Sequence, residues 1–339
     1  MKRRQAIAAL IFVLATSAVS PAWAQAPSLA GKTVTVIIGF GVGGGYDIWG
    51  RTLARHIGKH LPGNPTVVPQ NMPGAGSFNA ANHIYFNAPK DGTTIALITG
   101  DAALGPITGA PGARFDPTKM TWVGTPMTDT NICYVYNTPQ LKVRTVKDVY
   151  DKEAIVGTTG VGIGAYYYPK ALNALLGMKF KIISGFPSSS DVLLAMERGE
   201  VEGFFASIDS TLTLRPNWIS DQKITVLFQD GQAPSPLIKD VPYIADEART
   251  PEQRAAIEFL YAGQGLSRPF IAPPGVPADR VKMLQDAFMA TMKDPDFVAD
   301  AKRQKLPVDP KSGEELAALI KKIYATPKPI VDRVAELIK

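Results

Sequence analysis

The sequence contains very little cysteine and histidine. Among 339 residues there are one cysteine, Cys133, and three histidines. One cysteine cannot form a disulfide within the chain, so we expect Cys133, in the apolar segment NICYVYN, to be buried as a small hydrophobic residue. His56 and His60 have the spacing of a helical metal-binding pair, but Ile57 stands where a zinc protease motif has glutamate. The sequence therefore predicts no metal site.

No apolar run is long enough to cross a membrane, which takes about 20 residues. The nearest is at the start of the chain, MKRRQAIAALIFVLATSAVSPAWAQA. Its basic beginning, its apolar stretch of about a dozen residues and the small residues Ala22 and Ala24 are typical of a secretory signal peptide. We expect residues 1–24 to be cleaved after Ala24, and the mature protein to be periplasmic.

The charge bias is weak. The full chain carries 36 basic and 30 acidic residues, and loss of Lys2, Arg3 and Arg4 with the signal peptide leaves 33 against 30, a net charge of +3. That excess is too small to indicate a nucleic-acid partner. The mature length, 339 minus 24 residues, exceeds what one hydrophobic core usually supports and predicts two domains.

Strand-like and helix-like segments alternate along the first part of the chain. TVTVIIGF (33–40), TVVPQN (66–71) and TIALIT (94–99) read as strands, and amphipathic segments between them read as helices. This βαβαβ order predicts a parallel sheet with right-handed crossovers.

The pattern restarts after residue 126, where NICYVYN, EAIVGTTG, FKIISGF and KITVLFQD are strand candidates. The helices near the C-terminus have no strands of their own, so we expect them to fold back on the first unit. The predicted fold is α/β with two domains, 25–126 plus 251–339 and 127–250, joined by two crossovers around a ligand cleft.

The segment GFGVGGGYDIWGR (39–51) contains Gly39, Gly41 and Gly44 in the G-x-G-x-x-G spacing of dinucleotide sites. A dinucleotide site also needs an acidic residue about 20 positions later to bind the ribose. The chain has no Asp or Glu from 48 to 90. This excludes a dinucleotide as the best interpretation, and we expect no cofactor.

Two further glycine loops follow predicted strands, MPGAGS (72–77) and GTTGVGIG (157–164). Such loops present free backbone N–H groups to anions, and the following helix adds a partial positive charge. For any one loop, turns and close packing would explain the glycines. Three loops at one cleft favour a site for a carboxylate.

These three loops, with PKDGTTIAL and RPFIAPPGVPADRV, resemble the signature segments of the Bug-type periplasmic receptors of tripartite tricarboxylate transporters. The resemblance covers nearly all of the mature chain. It implies a two-domain periplasmic binding protein of the Venus flytrap type that captures di- and tricarboxylates, aromatic acids or similar organic acids. It also implies transient contact with a two-component membrane permease, and we expect a monomer.

In that family two loops of the first domain hold a ligand carboxylate, and the matching residues here are 40–47 and 74–79. The sequence departs from the family at Gly39 and Val42, where prolines are usual, and at Ser77, where glycine is usual. Loss of the prolines predicts a more flexible loop, and Ser77 adds a hydroxyl group.

The expected ligand-binding residues lie in both domains. Those of the first domain are Phe40, Gly41, Gly43, Gly44, Tyr46, Asp47, Gly74, Ala75, Gly76, Ser77 and Asn79. Those of the second domain are Thr158, Thr159, Gly160, Gly162, Ser188, Ser189 and Asp209. Asp47 has an equally good alternative role as N-cap of a helix over 47–61, and the hydroxyl of Ser188 is expected to cap a helix first.

Two other classes of function stay open at this point, an exported α/β enzyme acting on an organic acid and a ligand-sensing receptor domain. The enzyme is disfavoured because the chain has no G-x-S-x-G nucleophile motif and no Cys/His signature of a thiol enzyme. The sequence therefore favours a receptor without catalytic residues, and it does not determine which acid is bound.

Overall fold

The computed structural model describes residues 28–128, 130–161, 163–231, 234 and 238–338. The predicted signal peptide lies outside these residues. The strands are β1 (Thr33–Ile38), β2 (Thr66–Asn71), β3 (Thr94–Leu97), β4 (Thr121–Thr125), β5 (Asn131–Tyr136), β6 (Ala154–Thr158), β7 (Phe180–Ser184), β8 (Gly203–Ser207), β9 (Ile224–Asp230), β10 (Phe270–Ala272) and β11 (Lys311–Ser312).

Helices cover these strands. They are α1 (Gly45–Ile57), α2 (Phe78–Phe86), α3 (Asp148–Asp151), α4 (Gly164–Leu176), α5 (Ser189–Glu197), α6 (Ile208–Leu214), α7 (Pro251–Leu260), α8 (Ala278–Lys293), α9 (Pro295–Arg303), α10 (Gly313–Tyr324) and α11 (Lys328–Ile338). Within the described part of the chain, no helix has the length and apolar content needed to cross a membrane.

The strands form two mixed sheets. The first has the order β11-β4-β10-β3-β1-β2 and the second β7-β6-β8-β5-β9. Strand β1 pairs in parallel with β2 and β3, which confirms the predicted βαβαβ unit. Strands β10, β4 and β11 extend the first sheet in antiparallel fashion, and β4 and β11 were missing from the sequence prediction.

The chain passes between the sheets twice, once between β4 and β5 and once between β9 and β10. We call the first sheet with its helices the first lobe, and the second sheet with its helices the second lobe. For each sheet, all strands lie within one of the two predicted domains. The exact domain boundaries stay a prediction.

One hydrophobic cluster lies between the first sheet and helices α1, α8 and α9, and it includes Trp49, Leu53 and Phe288. Helix α1 packs very close to β1 because Gly50 has no side chain: a Cβ there would lie 2.6 Å from Ile38 Cγ1. The larger cluster continues from the other face of the first sheet into the second lobe and contains the fully buried Cys133, as predicted.

Helices α10 and α11 pack in different places. This corrects the expectation that the helices near the C-terminus fold back on the first lobe. Helix α10 packs against β4, as expected, but α11 packs against α7 and against α4 of the second lobe. Its buried residues Val331 and Val334 belong to the large shared cluster. An amphipathic helix packs its apolar stripe against an apolar surface, and for α11 that surface is formed jointly by α7 and α4.

Candidate functional site

A cavity lies between the two lobes, at the carboxyl ends of strands from both sheets. Its volume is about 70 Å³, counted as space open to the centre of a water molecule. One water needs about 10–15 Å³ on this scale, so in this arrangement the cavity has room for a small solute. The lining residues are Phe40, Gly44, Tyr46, Thr99, Asp101, Asn131, Thr159, Ile163, Ala165, Ser188, Ser189, Phe204, Phe205, Ala206, Ser207, Ser210, Gln264, Ser267 and Arg268.

The lobes touch around this cavity. The Ser190 hydroxyl of α5 donates to the carbonyl oxygen of Gly43 at 2.7 Å. The guanidinium of Arg268 donates to the hydroxyl of Ser210 at 2.9 Å, which joins the segment before β10 to α6. The structure is therefore a closed arrangement of the two lobes.

Arg268 is the charged side chain of greatest interest on the cavity wall. It is only 2% exposed, and its guanidinium carbon lies 4.4 Å from the centre of the Tyr46 ring. Tyr46 in turn stacks on Phe40 with ring centres 4.1 Å apart. A guanidinium presents a planar fork of donors that matches a carboxylate, and an aromatic face supports it. The wall thus holds a positioned cation suited to an organic acid.

Two hydroxyl groups add to this polar wall. Thr159 Oγ1 and Ser267 Oγ are buried atoms on lining residues, and neither has a hydrogen-bond partner within the described residues. Ser267 also has a φ of +55°, a conformation that a residue with a side chain adopts at a cost of about 1–3 kcal/mol. A ligand that accepts a hydrogen bond from Ser267, next to Arg268, would account for this unsatisfied hydroxyl.

Asp101 is the negatively charged residue on the wall. It follows β3, is 6% exposed, and accepts hydrogen bonds from the Gly164 backbone N–H at 2.9 Å and from the Tyr168 hydroxyl. Burial first, and then the charge of Asp101, raises the pKa of Tyr168 well above its ordinary value, so this hydroxyl stays protonated and donates. Asp101 therefore links the first lobe to α4 of the second.

The first glycine loop lies partly in the cavity. Phe40, Gly44 and Tyr46 line it, whereas Gly41 and Gly43 lie outside its lining. Gly41 instead lies against the second lobe, because a Cβ there would be 2.8 Å from the Pro187 carbonyl oxygen. Gly41 therefore allows the loop to approach the opposite lobe closely.

Asp47 does not line the cavity; it organises the loop. Its carboxylate accepts hydrogen bonds from the Gly43 N–H at 2.9 Å, the Arg51 Nε at 2.8 Å and the Asn71 side chain at 2.8 Å. Helix α1 begins at Gly45 with Gly44 as N-cap, so the alternative role of Asp47 as N-cap of a helix over 47–61 is wrong. Asn71 also donates to the Phe40 carbonyl at 2.9 Å. This network holds a loop that lacks the two prolines.

The second glycine loop contributes no residue to the cavity lining. This concerns the predicted residues Gly74, Ala75, Gly76, Ser77 and Asn79. Ser77 is fully buried and its hydroxyl oxygen accepts from the Thr99 N–H at 3.1 Å, while Asn79 donates to the Pro73 carbonyl. The loop touches the third glycine loop instead, since a Cβ on Gly160 would lie 3.1 Å from the nitrogen of Gly76.

Only some of the predicted ligand-binding residues of the second lobe line the cavity. Thr159, Ser188 and Ser189 line the cavity; Thr158 and Gly160 do not. Asp209 borders a different surface groove, and Gly162 lies outside the described residues.

Ser188 is the N-cap residue of α5, but the expected capping bond is absent there. Its hydroxyl donates to the Asp191 carboxylate at 2.7 Å instead of accepting from the backbone. The prediction that the Ser188 hydroxyl caps the helix first is therefore wrong.

The lining residues that the sequence did not predict include Arg268, Asp101, Ser210 and Ser267. A signal for Asp101 was present, because it directly follows the strand-like segment TIALIT, and ligands bind beyond the carboxyl ends of strands. Arg268 opens RPFIAPPGVP, before a strand that pairs antiparallel with its neighbours. No local pattern indicates that such a residue reaches the cleft.

His56, near the end of α1, and His60, just beyond it, both contact carboxylates. His56 Nε2 lies 2.9 Å from Asp300 and His60 Nε2 lies 2.8 Å from Asp294, both on or beside α9. Over the described ranges, no group of three or more His, Cys, Asp or Glu residues is arranged to hold a metal ion.

Comparison with known proteins places this geometry in context. No model of a known protein family matches the chain. The UPF0065 protein in the gbd 5' region of Cupriavidus necator is 27% identical over 319 residues, which cover 88% of this chain and 87% of that protein. The periplasmic binding protein BugD matches with a TM-score of 0.65 and 18% identity, over 90% of this chain and 96% of BugD.

The chain has the fold of the Bug-type periplasmic solute-binding receptors. MatC from Rhodopseudomonas palustris, solved with bound malate, matches as well, with a TM-score of 0.67 and 20% identity over 91% of this chain and 99% of MatC. The resemblance stated from the sequence and the predicted two-lobe Venus flytrap fold are thereby confirmed.

Proposed function

We propose that this chain is an exported solute-binding receptor that captures a small organic acid and delivers it to a membrane permease. The observation that carries the proposal is the buried guanidinium of Arg268 on the wall of a cavity closed by both lobes. The hydroxyls of Thr159 and Ser267, which have no hydrogen-bond partner among the residues that the structure describes, can supply further hydrogen bonds there.

The comparisons support the same class of ligand. MatC has the same fold and is solved with malate, a carboxylate. In a flytrap, ligand contacts to both lobes stabilise the closed form, which a permease then distinguishes from the open form. The proposal includes no catalytic step.

Binding is tested with the full-length chain expressed in a bacterial host and purified from the periplasmic fraction. A mature N-terminus at Gln25 would support export and cleavage after Ala24. After removal of co-purified ligand, thermal unfolding is followed with citrate, C4 to C9 acids, amino acids, benzoate and terephthalate, and with NAD and ATP as controls.

An acid present at 100 times its dissociation constant stabilises the folded state by about 2.7 kcal/mol. That is expected to raise the melting temperature by several degrees. Stabilisation by one or a few acids and by neither nucleotide is the expected result. Stabilisation by NAD or ATP alone would overturn the proposal.

A further inference from the structure

The third glycine loop precedes α4, and the sequence predicts that such a loop and the N-terminus of the helix after it favour an anion. The structure places a carboxylate there that belongs to the chain itself. One carboxylate oxygen of Asp101, in the first lobe, accepts a hydrogen bond at 2.9 Å from the N–H of Gly164, the first residue of α4. The other oxygen accepts a hydrogen bond from the Tyr168 hydroxyl. The partial positive charge of this helix N-terminus thus already faces an anion.

The remaining wall offers one positive charge. Of the described residues that line the cavity, Arg268 is the only one with a cationic side chain and Asp101 the only one with an anionic side chain. The Arg268 guanidinium is fixed between the Tyr46 ring, at 4.4 Å, and the Ser210 hydroxyl, at 2.9 Å. The other polar lining groups are hydroxyls, amides and backbone.

We propose that the ligand is a monocarboxylate: its single carboxylate binds Arg268, and it carries no second anionic group. This inference rests on the proposed function and narrows its ligand class. A second carboxylate in this small cavity would stand near the buried Asp101, and like charges repel strongly where little water is present to screen them. The Asp101 carboxylate therefore selects against dianions, as repulsive groups often do in specific sites.

The uncharged end of the ligand meets an apolar wall. Phe204 and Phe205 of β8 and Phe40 of the first loop line the cavity and are all at least 94% buried. These side chains suit the alkyl or aryl part of a monocarboxylate.

The test compares acids matched in chain length or ring: butyrate with succinate, valerate with glutarate, and benzoate with terephthalate. Dissociation constants are measured by isothermal titration calorimetry on the full-length chain after export. In at least one pair the monocarboxylate is expected to bind about tenfold or more tightly than its dicarboxylate partner, which corresponds to 1.4 kcal/mol.

Two variants assign this preference to its cause. Asp101→Asn keeps an oxygen that can accept from Gly164 but removes the charge, so dicarboxylates should gain affinity and the preference should narrow. Tyr168→Phe removes the other hydrogen bond and keeps the charge of Asp101, so it is the matched control and should preserve the preference. Arg268→Gln should lower monocarboxylate affinity at least tenfold.

The outcomes separate the two proposals. Dicarboxylates that bind as tightly as their monocarboxylate partners would overturn the inference and leave the carboxylate receptor standing. If no carboxylate of either kind binds to the wild-type chain, the proposed function itself fails. The wild-type comparison decides both questions even where a variant does not fold.

Discussion

At the scale of single residues, the clearest feature is a carboxylate that shapes a binding loop without reaching the cavity. Asp47 receives three hydrogen bonds, from Gly43, Arg51 and Asn71, and is 3% exposed. Charge-assisted hydrogen bonds to a buried carboxylate are stronger than neutral ones. The hydrogen bonds to this one aspartate thus offset part of the conformational entropy that a glycine-rich segment loses on folding.

Asp47→Ala is expected to destabilise the protein by about 1–3 kcal/mol, because the donors of Gly43 and Arg51 lose their acceptor. It should lower the affinity for every bound acid by a similar factor, because the substitution affects the loop and removes no contact with the ligand. Urea unfolding and calorimetric binding measure the two effects. Asp286→Ala, which removes an exposed pair with Lys282, is the control and should change stability by less than about 1 kcal/mol.

Selective loss of affinity for amino-bearing acids in Asp47→Ala would contradict this account. It would show that the Asp47 side chain contacts the ligand.

At the scale of elements, the loop between β1 and α1 and the loop before α5 form a contact between the lobes. Gly41 lies against the Pro187 carbonyl, and Ser190 donates to the Gly43 carbonyl. Backbone meets backbone here, and only a residue without a side chain at position 41 permits that distance. Closure of the flytrap therefore depends on the glycine content of this loop as well as on the ligand.

Gly41→Ala is expected to weaken acid binding about tenfold while leaving the melting temperature of the ligand-free protein nearly unchanged. The added Cβ would stand 2.8 Å from the Pro187 oxygen, which opposes closure and spares each lobe. Calorimetry and thermal unfolding check this. Val42→Ala is the matched control, because Val42 is 69% exposed in the same loop.

Equal affinities of Gly41→Ala and the wild type would mean that the lobes do not need this contact in order to hold a ligand.

At the scale of the whole molecule, ion pairs join segments that are far apart in the chain. Arg55 and His56 of α1 bind Asp300 of α9. Lys59, in the turn after α1, binds Asp294, the N-cap residue of α9. These pairs bring the N-terminal part of the first lobe against its C-terminal part. The chain forms the second lobe between these two parts, so the same pairs also help position the C-terminal segment on the first lobe.

These carboxylates make the free energy of unfolding depend on pH. Burial alone would raise the pKa of Asp300, but hydrogen bonds from His56 and Arg55 and the charge of Arg55 outweigh it and lower the pKa to about 2. The hydrogen bond from Lys59 is the largest influence on Asp294 and holds its pKa well below the ordinary value. The hydrogen bond from the Thr93 hydroxyl likewise helps lower the pKa of Asp91 to about 2.

A pKa that is lower in the folded than in the unfolded chain stabilises the protein above the unfolded value, about 4, and this contribution disappears as the pH falls towards 2. We therefore expect the free energy of unfolding to drop between pH 4 and pH 2. Urea unfolding at several pH values measures the slope. Asp300→Asn should make it shallower than in the wild type, and the exposed-site variant Asp286→Asn should leave it unchanged.

If the free energy of unfolding of Asp300→Asn falls with pH as steeply as that of the wild type, Asp300 does not contribute to the acid sensitivity.

Local patterns predicted much of the fold. Apolar segments of the right length predicted β1 and β2. Short strands such as β4 and β11 escaped prediction, because their residues carry little periodic signal and pair only with strands distant in sequence. The same reason explains α11, whose apolar stripe is partnered by both lobes.

The sequence by itself determined the class of fold, and it predicted that the first glycine loop belongs to the site and that the ligand is not a dinucleotide. These follow from patterns within a few residues and from the missing acidic residue between 48 and 90. Only the tertiary structure decided that Arg268 and Asp101 face one cavity. They lie 167 positions apart in the chain, and strand pairing and lobe closure, which bring them together, depend on contacts that no local pattern encodes.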